Sequence, residues 1–139
     1  MNELTKNRAT RVLEDVADIE HSFIPGATAD LPIRIYRPLH SEVTELQPAI
    51  IFIHGSGWVV SNIETNDHFS RALANRTGSV VIAINYQKAP EHKFPAPMDD
   101  CYASTLWIFE HAKYLGLDAN RIGILGDSAG GKLAAAVTL

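Results

Sequence analysis

The chain has 139 residues, a hydrophobic fraction of 46% and a formal net charge of −4 at pH 7. These values predict one globular domain, and the absence of a lysine or arginine run argues against a nucleic-acid partner. The first 20 residues are polar and charged without a continuous apolar core. We therefore expect neither a signal peptide nor a membrane span there, and the cytoplasm is the default location.

The first 53 residues are predicted to contain one helix and three strands. Apolar residues near helical spacing predict a helix over Arg8 to Glu20. Phe23 to Gly26 and Ile33 to Pro38 are predicted as two short strands joined by a turn, followed by a polar linker over Leu39 to Gln47. Ala49 to Ile53 is a continuous apolar run, which predicts a strand that is buried on both faces.

Helices and strands alternate in the rest of the chain. The predicted elements are a helix over Asn66 to Arg76 that ends before Gly78, a strand over Val80 to Ile84, a proline-rich loop over Tyr86 to Pro97, a helix over Pro97 to Leu115, a turn over Leu117 to Asn120, a strand over Arg121 to Leu125 and a helix from Lys132. Cys101, the only cysteine, falls on the apolar face of its helix, which favours a core position over a catalytic one. This alternation predicts an α/β protein with a mostly parallel sheet and helices on both faces.

The segment from Gly126 to Gly131 reads Gly-Asp-Ser-Ala-Gly-Gly and places Ser128 between a predicted strand and a predicted helix. A serine at the centre of Gly-x-Ser-x-Gly in this context is typical of a nucleophile elbow, in which a sharp turn exposes the hydroxyl. Gly126 and Gly130 would give the turn its backbone freedom. An ordinary glycine-rich turn with an N-capping serine stays open, whereas a phosphate-binding loop would need a Gly-Lys-Ser or Gly-Lys-Thr ending that is missing here.

A second glycine-containing segment, His54-Gly55-Ser56-Gly57-Trp58, follows the buried strand directly. Glycines after a strand let the backbone bend and present N–H groups to a ligand. Acyl-transfer enzymes need such donors, because negative charge develops on the carbonyl oxygen in the transition state. The two segments together favour a serine hydrolase.

Three segments carry a resemblance to a known family: residues 54–58, residues 85–96 (NYQKAPEHKFPA) and residues 126–131. They resemble the HGGG, YRLAPEHPFPA and GDSAGG motifs of the hormone-sensitive-lipase family of α/β-hydrolase esterases. The resemblance implies a partial α/β-hydrolase fold whose C-terminal strands are missing. Residues 1–45 would form an N-terminal cap helix and the first strands, and residues 46–139 the N-terminal half of the core.

The resemblance also implies roles for particular residues. Ser128 would be the nucleophile, and the oxyanion-hole donors would be the backbone N–H groups of Gly55, Ser56, Gly57 and Ala129. His54 would brace the oxyanion loop, and Asp127 would support the elbow through hydrogen bonds. Ser56 departs from the family's usual glycine, and a positive φ there would make the serine unfavourable. Gln87 and Lys88 replace the family's Arg-Leu, which puts an arginine network around Asp99 and Asp100 in doubt. Lys132 stands where asparagine is common.

The order of the catalytic groups bears on whether this sequence contains all of them. In α/β-hydrolases the serine comes first, then the acid, then the histidine. All six histidines here precede Ser128, and no acidic residue follows it. We therefore interpret the chain as the N-terminal half of an esterase, without useful activity on its own and with an unpaired sheet edge at Arg121 to Leu125.

The expected substrate of the complete enzyme is a small ester with a short acyl group, with no cofactor and no metal. The family's members often pair through a late sheet edge that is absent here, so a homo-oligomer stays open. A non-catalytic remnant or ligand-binding module is the alternative, because the α/β-hydrolase fold also hosts inactive relatives.

Overall fold

The computed structural model describes residues 12–40 and 45–139. They form a five-stranded sheet in the order β1-β2-β4-β3-β5, with three helices. The strands are β1 (Asp18–Pro25), β2 (Asp30–Arg37), β3 (Gln47–Ile53), β4 (Val80–Ile84) and β5 (Leu117–Gly126). The helices are α1 (Asp67–Thr77), which follows a 3-10 turn over Glu64–Asn66, then α2 (Ala96–Glu110) and α3 (Ala129–Thr138).

The sheet has a parallel half and an antiparallel half. β4, β3 and β5 are parallel neighbours, as the alternation of strands and helices predicts. β1 pairs with β2 and β2 pairs with β4 in antiparallel fashion, so the sheet as a whole is mixed. Because β2 joins β4 directly, the first strands and the core belong to the same sheet. β5 lies at the sheet edge, and its outer side has no strand partner among the described residues.

Both faces of the central strands are buried, and helices cover each of them. Ile51, Ile53 and Ile82 belong to a core cluster that also contains Cys101 of α2 and Leu133 of α3. The alternate residues of the same strands point to the other face, where Phe52, Val81 and Ala83 cluster with Ala74 of α1. The prediction of continuous apolar strands between two helical layers is therefore confirmed.

The prediction of a helix over Arg8 to Glu20 is wrong where the structure describes that segment; residues 8–11 lie outside the described residues. Residues 12–16 are irregular, and β1 begins at Asp18. Val12 is 93% exposed, so the apolar residues with helical spacing do not form a buried face. From Asp18 onward the backbone forms its hydrogen bonds with β2 instead, and this long-range pairing outweighs the local pattern.

Several other boundaries also differ from the sequence predictions: β1 begins before Phe23, β2 before Ile33 and α3 before Lys132. The predicted stop at Gly78 is confirmed: α1 ends at Thr77, and Gly78 follows it in the left-handed conformation with φ 65°. α2 stops at Glu110 and gives way to turns over residues 111–116, so the predicted extension to Leu115 is wrong. The predicted turn over Leu117 to Asn120 lies within β5 instead, where an irregularity in the β3–β5 pairing follows the Gln47–Leu117 pair.

A polar cluster fixes α1 to the sheet on the face opposite α2 and α3. Tyr36 donates a 2.7 Å hydrogen bond to Asp67, and Arg34 and Arg71 also contact that carboxylate. Burial alone would raise the pKa of Asp67, but the hydrogen bonds from Tyr36 and Arg71 outweigh it and lower the pKa. None of the helices in the described part of the chain has both the length and the apolar character that crossing a membrane requires.

Candidate active site

Ser128 lies in a sharp turn between the end of β5 and the start of α3. Its backbone has φ 50° and ψ −121°, a conformation that L-residues rarely adopt and that costs about 1–3 kcal/mol. The side chain is exposed and makes no capping hydrogen bond to the helix that it precedes. The reading as an N-capping serine therefore fails, and the hydroxyl is left free at the top of the turn, as a nucleophile elbow requires.

Gly126 and Gly130 allow the turn to pack closely against the sheet. A Cβ atom on Gly130 would overlap the backbone carbonyl group of Ile53, and one on Gly126 would overlap the backbone of Gly130. The first turn of α3 therefore lies directly against the carboxyl end of β3. Neither glycine has a positive φ, so the turn does not need them for a left-handed backbone. It needs them because a residue without a Cβ atom permits this close approach.

The loop after β3 lies beside the elbow because β3 and β5 are parallel neighbours that end together, with Ile53 opposite Gly126. A hydrogen bond of 2.7 Å from the Gly55 N–H to Asp127 Oδ1 joins the two segments. Because the Gly55 N–H donates to this carboxylate, it is not available to bind an oxyanion. Gly55 therefore leaves the predicted set of oxyanion donors, and Asp127 holds the loop against the elbow.

The backbone N–H groups of Ser56, Gly57 and Ala129 have no hydrogen-bond partner among the described residues. Positive φ occurs at Gly57 (53°) and Trp58 (73°), and Ser56 does not share it. The serine that replaces the family's glycine therefore carries no left-handed strain. Backbone N–H groups without a partner can stabilise negative charge that develops on a carbonyl oxygen.

His54 is buried below the loop, with 1% of its surface exposed. Its Nδ1 donates to the carbonyl oxygen of Gly55 at 3.1 Å, and its ring stacks on Tyr86 with centroids 4.8 Å apart. Nε2 has no hydrogen-bond partner among the described residues. Burial lowers the pKa of His54, so the ring stays neutral. This position suits a residue that braces the loop, and in the described part of the chain no histidine hydrogen-bonds to Ser128.

The lowered pKa of His54 predicts a loss of stability in acid. The unfolded chain takes up a proton on this residue below about pH 6.5, whereas the folded chain resists it. The contribution of His54 is therefore complete above that pH and falls as the pH drops. Urea unfolding should show that the wild type loses about 1 kcal/mol more than His54→Gln between pH 7.5 and pH 5.5. His21→Gln, which changes an exposed histidine of β1, should keep the wild-type dependence; equal slopes for all three proteins would contradict this account.

The sequence did not reveal how the buried Asp100 is stabilised. Its two carboxylate oxygens accept hydrogen bonds from the backbone N–H groups of Ala27 (3.2 Å) and Gln87 (3.0 Å). Lys88 donates instead to the Asn85 side chain and the Tyr86 carbonyl. Two backbone N–H groups therefore bind the Asp100 carboxylate. This chain has Gln87 and Lys88 where the resembled family has Arg-Leu. No residue type in the sequence could have signalled these contacts.

A largely apolar cavity of about 550 Å³ opens between the loop after β3, the loop over residues 85–95 and the helices α2 and α3. Its walls include Trp58, Phe94, Met98, Leu133 and Ala136, and His92, Lys93 and Lys132 also line it. This volume falls within the range of small-ligand pockets. Because Trp58 and Lys132 line it, the cavity lies next to the loop after β3 and to the helix α3 that follows Ser128. Among the described residues, no three side chains of His, Cys, Asp or Glu form a group that could hold a metal ion.

Comparisons with known proteins show the family of the chain. A family model described as the alpha/beta hydrolase fold matches residues 50–139. A carboxylesterase of Mycobacterium tuberculosis, NlhH, is 40% identical over 106 residues, which cover 76% of this chain and 33% of that protein. An arylesterase of Saccharolobus solfataricus is 41% identical over 110 residues, 79% of this chain and 35% of that protein.

The solved structure of a hyperthermophilic esterase from Pyrobaculum calidifontis superposes with a TM-score of 0.85 at 40% identity. The superposition covers 97% of this chain and 42% of that one. The present chain spans about a third of the length of the curated relatives that it matches.

Proposed function

Because the chain belongs to the α/β-hydrolase family, in the hormone-sensitive-lipase-like group of esterases, we propose that the whole protein is a carboxylesterase with Ser128 as its nucleophile. Its substrates are small esters with short acyl groups. The single observation that carries this proposal is the strained turn that leaves the Ser128 hydroxyl exposed and without a hydrogen bond. Strain at a position that does not cap its own helix is typical of a functional site.

The proposed reaction proceeds in two steps through an acyl-enzyme. Ser128 Oγ forms a bond to the carbonyl carbon and gives its proton to a base; the alcohol then leaves with that proton, and water releases the acid. The N–H groups of Ser56, Gly57 and Ala129 stabilise the negative charge on the carbonyl oxygen. We assign neither base nor acid to a described residue, because His54 is buried and Asp127 is bound to Gly55.

We assign the apolar cavity to the hydrocarbon part of the ester. Its wall includes Trp58, two residues beyond Ser56, and Lys132 of the elbow helix. An ester carbonyl held at Ser128 can therefore extend its chain between Met98 and Ala136. Burial of each CH₂ group would contribute about 0.8 kcal/mol until the cavity is filled.

Filling the cavity should change the chain-length preference of the enzyme. In the whole protein, Ala136→Phe adds a ring to the cavity wall and should lower kcat/KM for p-nitrophenyl octanoate about tenfold more than for the acetate. Ala135→Phe is the matched control, because Ala135 is an exposed neighbour on α3 that does not line the cavity. Identical preferences in both variants would remove the cavity from the substrate site, and no hydrolysis by the wild type would contradict the esterase proposal itself.

A non-catalytic ligand-binding module is the second candidate. The observation that favours it is that, among the described residues, no histidine hydrogen-bonds to Ser128. Such a module would bind an ester in the cavity without turning it over. Unchanged p-nitrophenyl butyrate after prolonged incubation with the whole protein, together with saturable binding, would favour this candidate over the esterase.

A further inference from the structure

A buried chain of hydrogen bonds lies behind the loop that carries the free amides. The Trp58 N–H donates to Ser56 Oγ at 2.9 Å, and Ser56 Oγ lies 2.7 Å from the Tyr86 hydroxyl. The Tyr86 hydroxyl in turn donates to the His54 carbonyl oxygen at 2.8 Å. Ser56 and Tyr86 are both buried, at 4% and 1% exposure. These hydrogen bonds thus join two backbone groups of one loop through two side-chain hydroxyls.

The donor and the acceptor of every hydrogen bond in this series follow from the two backbone groups at its ends. The His54 carbonyl can only accept, so the Tyr86 hydroxyl uses its single proton there. Ser56 must then donate its proton to the Tyr86 oxygen, and it accepts from the Trp58 N–H, which can only donate. Burial raises the pKa of Tyr86 to about 12, so the phenol keeps its proton at neutral pH. The Ser56 hydroxyl therefore donates to Tyr86 and accepts from the Trp58 N–H.

The two backbone groups at the ends of this hydrogen-bond series lie on either side of the proposed oxyanion donors in the sequence. The His54 carbonyl precedes the unpaired N–H groups of Ser56 and Gly57, and the Trp58 N–H follows them. Gly57 and Trp58 both have positive φ, which is unfavourable for a residue with a side chain such as tryptophan. The bond from the Trp58 N–H to Ser56 Oγ holds the backbone in this conformation. A glycine at position 56 would offer no hydroxyl for either bond.

We propose that the Ser56 hydroxyl, acting through Tyr86, is a positioning group that holds the oxyanion loop with its free amides toward the reacting carbonyl. This inference rests on the proposed function. Ser56 touches no reacting atom through its side chain; its backbone N–H does. The hydroxyl therefore acts by raising the fraction of molecules in which the donors are in place.

The test uses the whole protein with Ser56→Ala, Ser56→Gly, Tyr86→Phe and the double variant Ser56→Ala/Tyr86→Phe. Each single variant should lower kcat for p-nitrophenyl butyrate about tenfold and leave KM within about twofold. The loss should be smaller than the 10²–10³ that removal of an oxyanion donor costs, because the amides themselves remain. The kcat of the double variant should be about equal to that of the slower single variant, because both changes break the same series of hydrogen bonds. The rate at which diethyl p-nitrophenyl phosphate labels Ser128 should fall by a similar factor.

Two control variants separate positioning from general stability. Tyr36→Phe removes the hydrogen bond of another buried tyrosine, to Asp67 on the opposite face of the sheet, and should lower the unfolding temperature without changing kcat. Ser61→Ala removes a half-buried hydroxyl that bonds to Thr65 and Asn66, away from Tyr86, and should leave kcat unchanged. If Ser56→Ala and Tyr86→Phe change only the unfolding temperature, as Tyr36→Phe does, the proposal is overturned. A wild type that neither hydrolyses the ester nor reacts with the phosphate overturns the proposed function, and this inference with it.

Discussion

Replacement of Ser128 by alanine is expected to lower kcat for p-nitrophenyl butyrate about 10⁶-fold in the whole protein. The reason is that the exposed hydroxyl is the only group assigned to attack the ester carbonyl, and the amides around it cannot replace a nucleophile. Some acceleration should survive, because amides of Ser56, Gly57 and Ala129 can still stabilise charge on a carbonyl that water attacks. KM should change little, since the apolar cavity is untouched. Steady-state hydrolysis across a range of ester concentrations measures both constants.

The matched control for this variant is Ser22→Ala, which removes the hydroxyl of a serine in β1, on the strand farthest from the elbow in the sheet order. It should keep wild-type kcat. If Ser128→Ala retained more than about a hundredth of the wild-type kcat, the nucleophile would have to be another residue, and the strained turn would need a different explanation.

Replacement of Gly130 by alanine is expected to destabilise the protein by about 3 kcal/mol. The added Cβ would overlap the carbonyl group of Ile53, a buried residue of the central strand β3 that cannot move aside. The first turn of α3 would have to lift away from the sheet, which would also displace Ser128. Urea unfolding of wild type and variant gives the difference in free energy of unfolding, and ester hydrolysis reports the displaced elbow.

Gly123→Ala is the matched control, because an added Cβ there meets no atom within 4 Å and the residue has no positive φ. This change in β5 should alter the free energy of unfolding by no more than about 0.5 kcal/mol. If Gly130→Ala proved as stable as Gly123→Ala, the close contact between the elbow and β3 would not exist in solution.

The sequence was most informative where one local pattern had one physical solution. Ala49 to Ile53 and Val80 to Ile84 are apolar at every position, and only a strand between two layers buries such a run completely. Gly78 follows an amphipathic segment and ends α1 in the left-handed conformation that glycine adopts easily. Ser128 between two glycines, after a short apolar strand, predicted the strained turn that the structure contains.

The predictions failed where contacts between distant residues outweigh local preference. Val12 and Leu13 have helical spacing with later apolar residues, but β2 supplies backbone hydrogen bonds to the strand that follows them. Gly55 matched the expected position of an oxyanion donor, yet its N–H is bound to Asp127, 72 residues away. The bond between Ser56 and Tyr86 joins a loop to the end of another strand. Such pairings depend on the assembled sheet, and residue types alone do not specify them.

The most direct test of the central claim is a crystal structure of the whole protein after reaction with diethyl p-nitrophenyl phosphate. The account predicts a phosphoryl group bonded to Ser128 Oγ, with one phosphoryl oxygen within hydrogen-bond distance of the backbone N–H groups of Ser56, Gly57 and Ala129. The Gly55 N–H should remain bound to Asp127. An unmodified Ser128, or an adduct whose oxygens face away from those amides, would contradict the account.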